Sequence, residues 1–398
     1  MKIKDIIVGT KRRKHRDPRK HRITQKDLYN ADPKKLGESK GRDINHLEDL
    51  VIFYGSEGGK KAIQVLKSLE TNPESVTIKW DGRPAVIFGR NEQGEFVLTD
   101  KSGFGAKTYD GRVTSPEGLE KMLQARPGAQ KDPVQHGKFV DQMTGIWSAF
   151  ESATPPDFRG YVHGDLMYFS TPASNNGRLE FQPNTTVYSV DPNSDIGQKI
   201  AQSKVGVVLH VFIDLEGNKG KVDTTKFLPG DLLVLPPVTL TNSPDVDNKQ
   251  LEQLQSILNK NANNIDSLLN VPAEIKMSDF SNILYTYINS SVKSGTLNNL
   301  GRQDFLKWVQ GSNLSNPKKQ KSTDWAGKNA AGFDSMFNFV KAVKTVKNNI
   351  IGQLDNQPAE IEAYTDGKRG GEGYVVGKDI KLVNRAGFTA ANAARNKN

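Results

Sequence analysis

Val76-Thr77-Ile78-Lys79-Trp80-Asp81-Gly82 is a β-branched run that ends in a lysine, and Pro84-Ala85-Val86-Ile87-Phe88 resumes a strand pattern after Arg83. A lysine at the end of a buried strand is costly, because desolvation penalises the ammonium. The same penalty favours the neutral amine. Beside a metal ion and other cations, such an amine can attack the α-phosphorus of a nucleotide and hold it as a phosphoramidate. Asp81-Gly82 reads as a turn that lets the backbone approach a ligand closely. On its own Lys-x-Asp-Gly fits a hairpin corner with a surface lysine equally well, and the pieces downstream decide between the two.

Working outward, the residues before this stretch read as helical, with Leu47, Leu50, Val51 and Phe53, then a break at Gly55-Ser56-Glu57-Gly58-Gly59. From Lys60 a second helix follows with Ala62, Ile63, Val65, Leu66 and Leu69. The glycine run lacks both Walker spacing and a Ser or Thr after the lysine, so it is an inter-helix turn. After the stretch come strand patterns over 84–90 and 95–101, then helical spacing over 117–125 and 134–152. Further strands are expected at 161–169, 179–181, 205–215 and 232–235. From Asp245 to about Gly352 the spacing turns helical, and strands resume at 361–364, 374–376 and 380–383.

The chain has 398 residues, 35% of them hydrophobic, enough for a core without staples. Its lack of cysteine excludes disulfides, thiolate metal sites and cysteine nucleophiles. No apolar run approaches the roughly 20 residues of a membrane span, and no signal-peptide core opens the chain. A cytoplasmic protein with no membrane partner is expected. Residues 1–42 hold 15 Lys or Arg against 5 Asp or Glu, a surplus equal to the whole net charge of +10. That basic arm attracts phosphate backbones by charge, so DNA or RNA is the expected partner; a solvated tail that only aids solubility is the other reading.

Lys79-Trp80-Asp81-Gly82 and five pieces after it resemble the covalent nucleotidyltransferase superfamily of ATP-dependent DNA ligases, RNA ligases and mRNA-capping enzymes. Lys101-Ser102-Gly103 looks like its second motif, and His163-Gly164-Asp165-Leu166 resembles the third, with aspartate for the usual glutamate. Val211-Phe212-Ile213-Asp214 resembles the strand whose aromatic residue stacks on the purine. Gly371-Glu372-Gly373-Tyr374-Val375-Val376 is similar to the fourth motif, and Ile380-Lys381-Leu382-Val383 lies where the last, lysine-bearing motif belongs. Lys-Trp-Asp-Gly-x-Pro-Ala with its helical lead-in also looks like an uncharacterised group of phage-encoded proteins, for which host cytoplasm is the implied location.

The resemblance implies an α+β core of two packed antiparallel sheets with the nucleotide in the groove between them. The expected parts are a basic arm (1–45), a first part of the core (46–240), a helical insertion (241–354) and closing strands (355–398), with no C-terminal oligonucleotide-binding barrel. Lys79 and Lys381 are the implied catalytic residues. Asp81, Gly82, Arg83, Lys101, Asp165, Phe212, Glu372 and Lys381 would bind ATP, and Glu372 with Asp165 would hold Mg²⁺ through hard oxygen ligands. Two departures stand out: Arg83 falls one residue before the family's usual arginine position, now Pro84, and Lys381 lacks the second lysine of a Lys-x-Lys pair, for which Arg385 or Lys378 is the candidate substitute. The expected activity is ATP-dependent polynucleotide ligation, RNA favoured over DNA. The alternatives are transfer of an adenylyl or guanylyl group to a different acceptor, and a nucleic-acid-binding or virion protein that keeps the fold without catalysis.

Overall fold

The computed structural model describes residues 45–126, 132–236, 238–240, 242–357, 360–365, 367–370, 373–377 and 380–387. The basic arm, Glu372 and Lys378 therefore lie outside the described residues. The chain begins with β1 (Asn45–His46) and helix α1 (Leu50–Thr71). Gly55, at φ 62° and ψ −144°, divides α1 into two segments. The N–H groups that open the second segment have no acceptor within it. Asp266, from a helix far along the chain, supplies one: its Oδ1 accepts the Ser56 N–H and its Oδ2 the Ser56 hydroxyl, each at 2.7 Å. The expected break is thus a kink at one glycine, and Ser56 to Lys60 are already helical. Asp266→Ala is expected to lower stability by about 1–2 kcal/mol, as loss of a helix cap does, and Asp266→Asn to keep most of it, read by thermal denaturation.

β2 (Val76–Ile78), β3 (Ala85–Arg90) and β4 (Phe96–Asp100) follow, then a single turn of helix, α2 (Lys101–Phe104). α3 (Pro116–Gln124) and α4 (Pro133–Gly145) each start on a proline behind a side-chain cap, Ser115 or Asp132, and α5 (Trp147–Ala153) completes the group. The next elements are β5 (Gly160–Tyr168), β6 (Ala173–Asn175), β7 (Arg178–Phe181), β8 (Thr186–Val190), α6 (Asp195–Ala201), β9 (Val205–Ile213), β10 (Lys219–Gly220) and β11 (Leu232–Val234). Five helices come next: α7 (Asn248–Leu269), α8 (Phe280–Lys293), α9 (Arg302–Gly311), α10 (Asn316–Lys328) and α11 (Ala330–Asn356). β12 (Ile361–Thr365), β13 (Lys368–Arg369), β14 (Tyr374–Val376) and β15 (Ile380–Leu382) close the described chain.

The class is mixed α+β, with three sheets where two were expected. The first runs β1-β15-β14-β2, the second β10-β9-β5-β3-β4 with β11 beside β9, and the third β13-β12-β8-β7-β6. Pairing is antiparallel except for β1 with β15 and β11 with β9. One face of the second sheet buries Val86, Phe88, Leu98 and Val162 against α3, α4 and α5, where Phe88 meets Phe150 edge-on at 4.7 Å. Trp80, Met167, Phe181 and Tyr188 form a separate core that joins the third sheet to the Lys79–Pro84 connection. α7 packs on both α1 and α11, so the helical insertion rests on the helix that leads into β2.

A buried ionic cluster ties that helical body to the first sheet. Lys347 of α11 reaches Glu48 at 2.7 Å, both 3% exposed or less. Arg385, just beyond β15, bonds Asp49 at 2.9 Å and Asn289 of α8 at 2.5 Å, with Glu48 at 3.7 Å. Burial acts to raise the Glu48 carboxyl, but Lys347 and Arg385 outweigh it and hold the group down at about 2. His46, which faces Lys381 across β1 and β15, is pushed down to about 3 by burial and by Arg385, and stays neutral.

Candidate functional site

The pairing of β2 with β14 continues one residue past β2, because the Lys79 N–H donates to the Gly373 carbonyl at 3.0 Å. In this register Thr77 lies opposite Val375, and Val375 opposite Lys381. Side chains alternate along a strand, so Thr77, Lys79, Val375 and Lys381 share one face of the first sheet. Val76, Tyr374, Val376, Ile380 and Leu382 point the other way and are buried. The Lys79 side chain is 19% exposed, and its Nζ lies 3.1 Å from Asp81 Oδ1.

Trp80 fixes the direction of this turn. Its ring packs against Tyr188 at 4.9 Å and Phe181 at 6.3 Å, and its indole N–H donates to the Pro236 carbonyl at 3.2 Å. Asp81 is held from two sides: its N–H donates to the Tyr188 hydroxyl at 3.1 Å, and Asn184 donates to its carbonyl at 3.0 Å. Gly82 makes its close approach to protein, not to a ligand site: a Cβ there would collide with the Leu166 carbonyl. The Arg83 N–H donates to that same carbonyl at 2.9 Å, and the Leu166 N–H donates to Pro84 O at 3.0 Å. Residues 82–84 are thereby laid along β5 and feed β3 into the second sheet.

Where β3 begins, Ala85 pairs with Asp165 on one side, and Val86 pairs with Asp100, the residue before Lys101, on the other. Asp165 and Lys101 thus flank the end of the connection that starts at Lys79. Asp165 Oδ2 bonds His210 Nε2 at 2.9 Å. The His163 ring stands 5.9 Å from the His210 ring, and its buried Nε2 has no hydrogen-bond partner among the described residues. Burial, and then His210, lower its basicity. Nothing in the sequence singled out His210, one of six histidines. Lys101 is exposed at the start of α2, whose cap Asp100 accepts the Gly103 N–H at 2.8 Å and grips Arg126 with both oxygens.

Two expected roles fail on geometry. Phe212 pairs with Val162 on the core face of the second sheet and meets Phe158 edge-on at 6.0 Å, so it turns away from His163 and Asp165. It is a packing residue with no open ring face toward the Asp165 row. Arg385, 6% exposed and committed to Asp49, cannot replace the missing lysine of the last motif. Glu372 lies outside the described residues, next to Gly373.

A cavity of about 680 Å³ adjoins Lys79 between the first and third sheets, lined by Tyr188, Asp355, Arg369, Gly373 and Tyr374 among others. That volume falls in the range of small-molecule sites. Tyr374 donates its hydroxyl to Asp355 Oδ1 at 2.9 Å; burial raises the Asp355 carboxyl above the usual range, against the pull of Tyr374. Among the described residues no group of three or more His, Asp or Glu is placed to hold a metal ion. A Mg²⁺ that arrives on nucleotide phosphates needs only one or two carboxylates, and Asp165, with a described hydrogen bond at Oδ2 only, suits that demand.

Nothing among curated proteins and nothing among solved structures matches the chain. One family model does, over residues 42–397, described as a family of unknown function (DUF6267).

Proposed function

The chain belongs to DUF6267, a family without an assigned function, and from the site itself we propose a covalent nucleotidyltransferase that ligates polynucleotides with ATP. One observation carries the reading. β2, β14 and β15, far apart in sequence, are adjacent strands of one sheet, with Lys79 and Lys381 on the same face and Gly373 bonded to Lys79. This is the arrangement that the chemistry of a lysine nucleophile with a second cation at its phosphate requires.

In the proposed reaction Lys79 gives a proton to Asp81, 3.1 Å away, and its amine attacks the α-phosphorus of ATP. The N–P bond forms as the bond to the β-phosphate oxygen breaks, and pyrophosphate leaves with the second proton of the amine. Lys381 stabilises charge on the α-phosphate and, as a like charge, favours the neutral amine. A 5′-phosphate oxygen then attacks the same phosphorus and breaks the N–P bond, the Lys79 amine leaving with the proton held by Asp81, and a 3′-hydroxyl finally attacks the activated 5′-phosphorus, releasing AMP and its own proton. Bound Mg²⁺ would supply charge neutralisation at the phosphates, with Asp165 and Glu372 as its protein ligands.

The test is incubation of the full chain with α-labelled ATP or GTP and Mg²⁺. The expected result is a labelled 44.0 kDa band with ATP that is stable to base and lost in acid, as a phosphoramidate is. A labelled band with GTP alone would move the reading to guanylyl transfer. No adduct with either nucleotide would overturn it in favour of a binding protein that keeps the fold.

A further inference from the structure

On the face of the second sheet that carries His163 and Asp165, three side chains cluster. The Arg112 guanidinium lies 4.4 Å from the centre of the Phe104 ring and 5.6 Å from that of Tyr161, and the two rings meet edge to face at 5.1 Å. Arg112 is exposed while Tyr161 is buried, so the guanidinium forms the outer layer. Cations flank the cluster: Lys101 begins the helix that holds Phe104, and Lys219 pairs with Ile213, itself the partner of Tyr161. Both lysines act on His163 electrostatically. Tyr109, in the same loop as Arg112, is 42% exposed, one of few large apolar side chains so placed among the described residues. Of the nearby carboxylates, Asp110 accepts the Arg112 backbone N–H, Asp214 bonds Asn218 and Asp165 bonds His210, while Glu92 acts on Tyr161 electrostatically.

We propose that the Phe104–Arg112–Tyr161 cluster, with Lys101 and Lys219 beside it, docks single-stranded polynucleotide. A flat guanidinium supported on aromatic rings offers a base a face to stack on, and flanking lysines attract the phosphates on either side. Duplex bases are already stacked on one another and cannot use such a face, so the surface selects single strands. From Tyr161 to Asp165 is four residues along β5, roughly 13 Å, which carries a docked strand to the row where Asp165, Ala85 and Lys101 meet. The proposal deepens the reading above, since the docked strand would be the acceptor. It rests on that reading for this role alone.

Binding is measured by fluorescence anisotropy on the full chain without nucleotide, using single-stranded RNA, single-stranded DNA and the duplex of the same sequence. Arg112→Ala is expected to weaken single-strand binding about tenfold or more, the loss of one stacked base. Arg112→Lys keeps the charge and is expected to lose most of the same affinity. The double variant Lys101→Ala with Lys219→Ala is expected to flatten the salt dependence by about 0.7 per lysine. All variants carry the same basic arm. Tighter binding of the duplex than of single strands, or Arg112→Ala binding like the wild type, would overturn the proposal; so would Arg112→Lys binding like the wild type, which would leave charge without stacking. The adduct assay separates the two ideas. Arg112→Ala should still label itself, and a chain that forms no adduct yet binds single strands through Arg112 would keep the docking surface and lose the enzyme.

Discussion

Lys79→Ala is expected to abolish formation of the proposed labelled adduct, and Lys79→Arg to do the same, because a guanidinium stays protonated and cannot attack phosphorus. Lys381→Ala, by contrast, slows adduct formation without removing the nucleophile. Loss of one group that stabilises developing charge lowers a rate by about a hundredfold to a thousandfold, and that range is expected here. The two outcomes differ in kind: with Lys79 gone no exposure time yields label, whereas with Lys381 gone the label accumulates slowly to the same plateau. A time course on all three variants checks both. Undiminished labelling of Lys79→Ala would place the nucleophile elsewhere. Unchanged kinetics in Lys381→Ala would show that the shared face of β2 and β15 has no part in the reaction.

Lys347→Ala is expected to cost about 3–5 kcal/mol of stability, the penalty for leaving a buried partner charge uncompensated. Glu48, 3% exposed, would remain buried with only the longer 3.7 Å contact to Arg385 as an ion pair. A paired change, Lys347→Met with Glu48→Leu, removes both charges and is expected to recover most of the loss. The pH dependence follows from Glu48, held at about 2 against an ordinary 4.5. A carboxylate depressed by folding contributes in full above its ordinary value and loses that contribution as pH falls through the folded one. The gap in melting temperature between wild type and Lys347→Ala should therefore be widest above pH 4.5 and close toward pH 2. A gap that does not change with pH would show that Lys347 acts by packing alone.

The strand at 76–78, the meander after it and the paired strands at 374–376 and 380–382 were legible because β-branched alternation and turn residues mark them locally. Thr186–Val190 was not read as a strand, although it pairs with both β7 and β12. Its short run shows no sign of the partner at Ile361–Thr365, and without it the third sheet disappears. Phe212 shows how a correct strand can carry a wrong face. Counting in twos from Val208, which pairs with Asp165, puts Phe212 on the Asp165 side. A bulge at His210 inserts one residue before Val211 pairs with His163, and a one-residue slip turns every later side chain over. The cap of Asp266 on Ser56 and the ion pair of Lys347 with Glu48 join residues 210 and 299 positions apart, respectively. No local pattern announces such a meeting; each is fixed only when the helices pack.

The first sheet also sets the order in which this chain can acquire its fold. β2 is flanked by residues 238–240 on one side and by β14 on the other, so the strand that leads to Lys79 gains its second neighbour only after residue 376 has been synthesised. Pairings this distant in sequence are slow to close, because the loop between them must be ordered first. On the ribosome the second sheet, complete by residue 234, and the helical body can form while β2 still waits at a sheet edge. Lys79 is translated early, yet its surroundings are assembled last, and a nascent chain stalled before β14 would carry a folded second sheet and a first sheet still open beside Lys79.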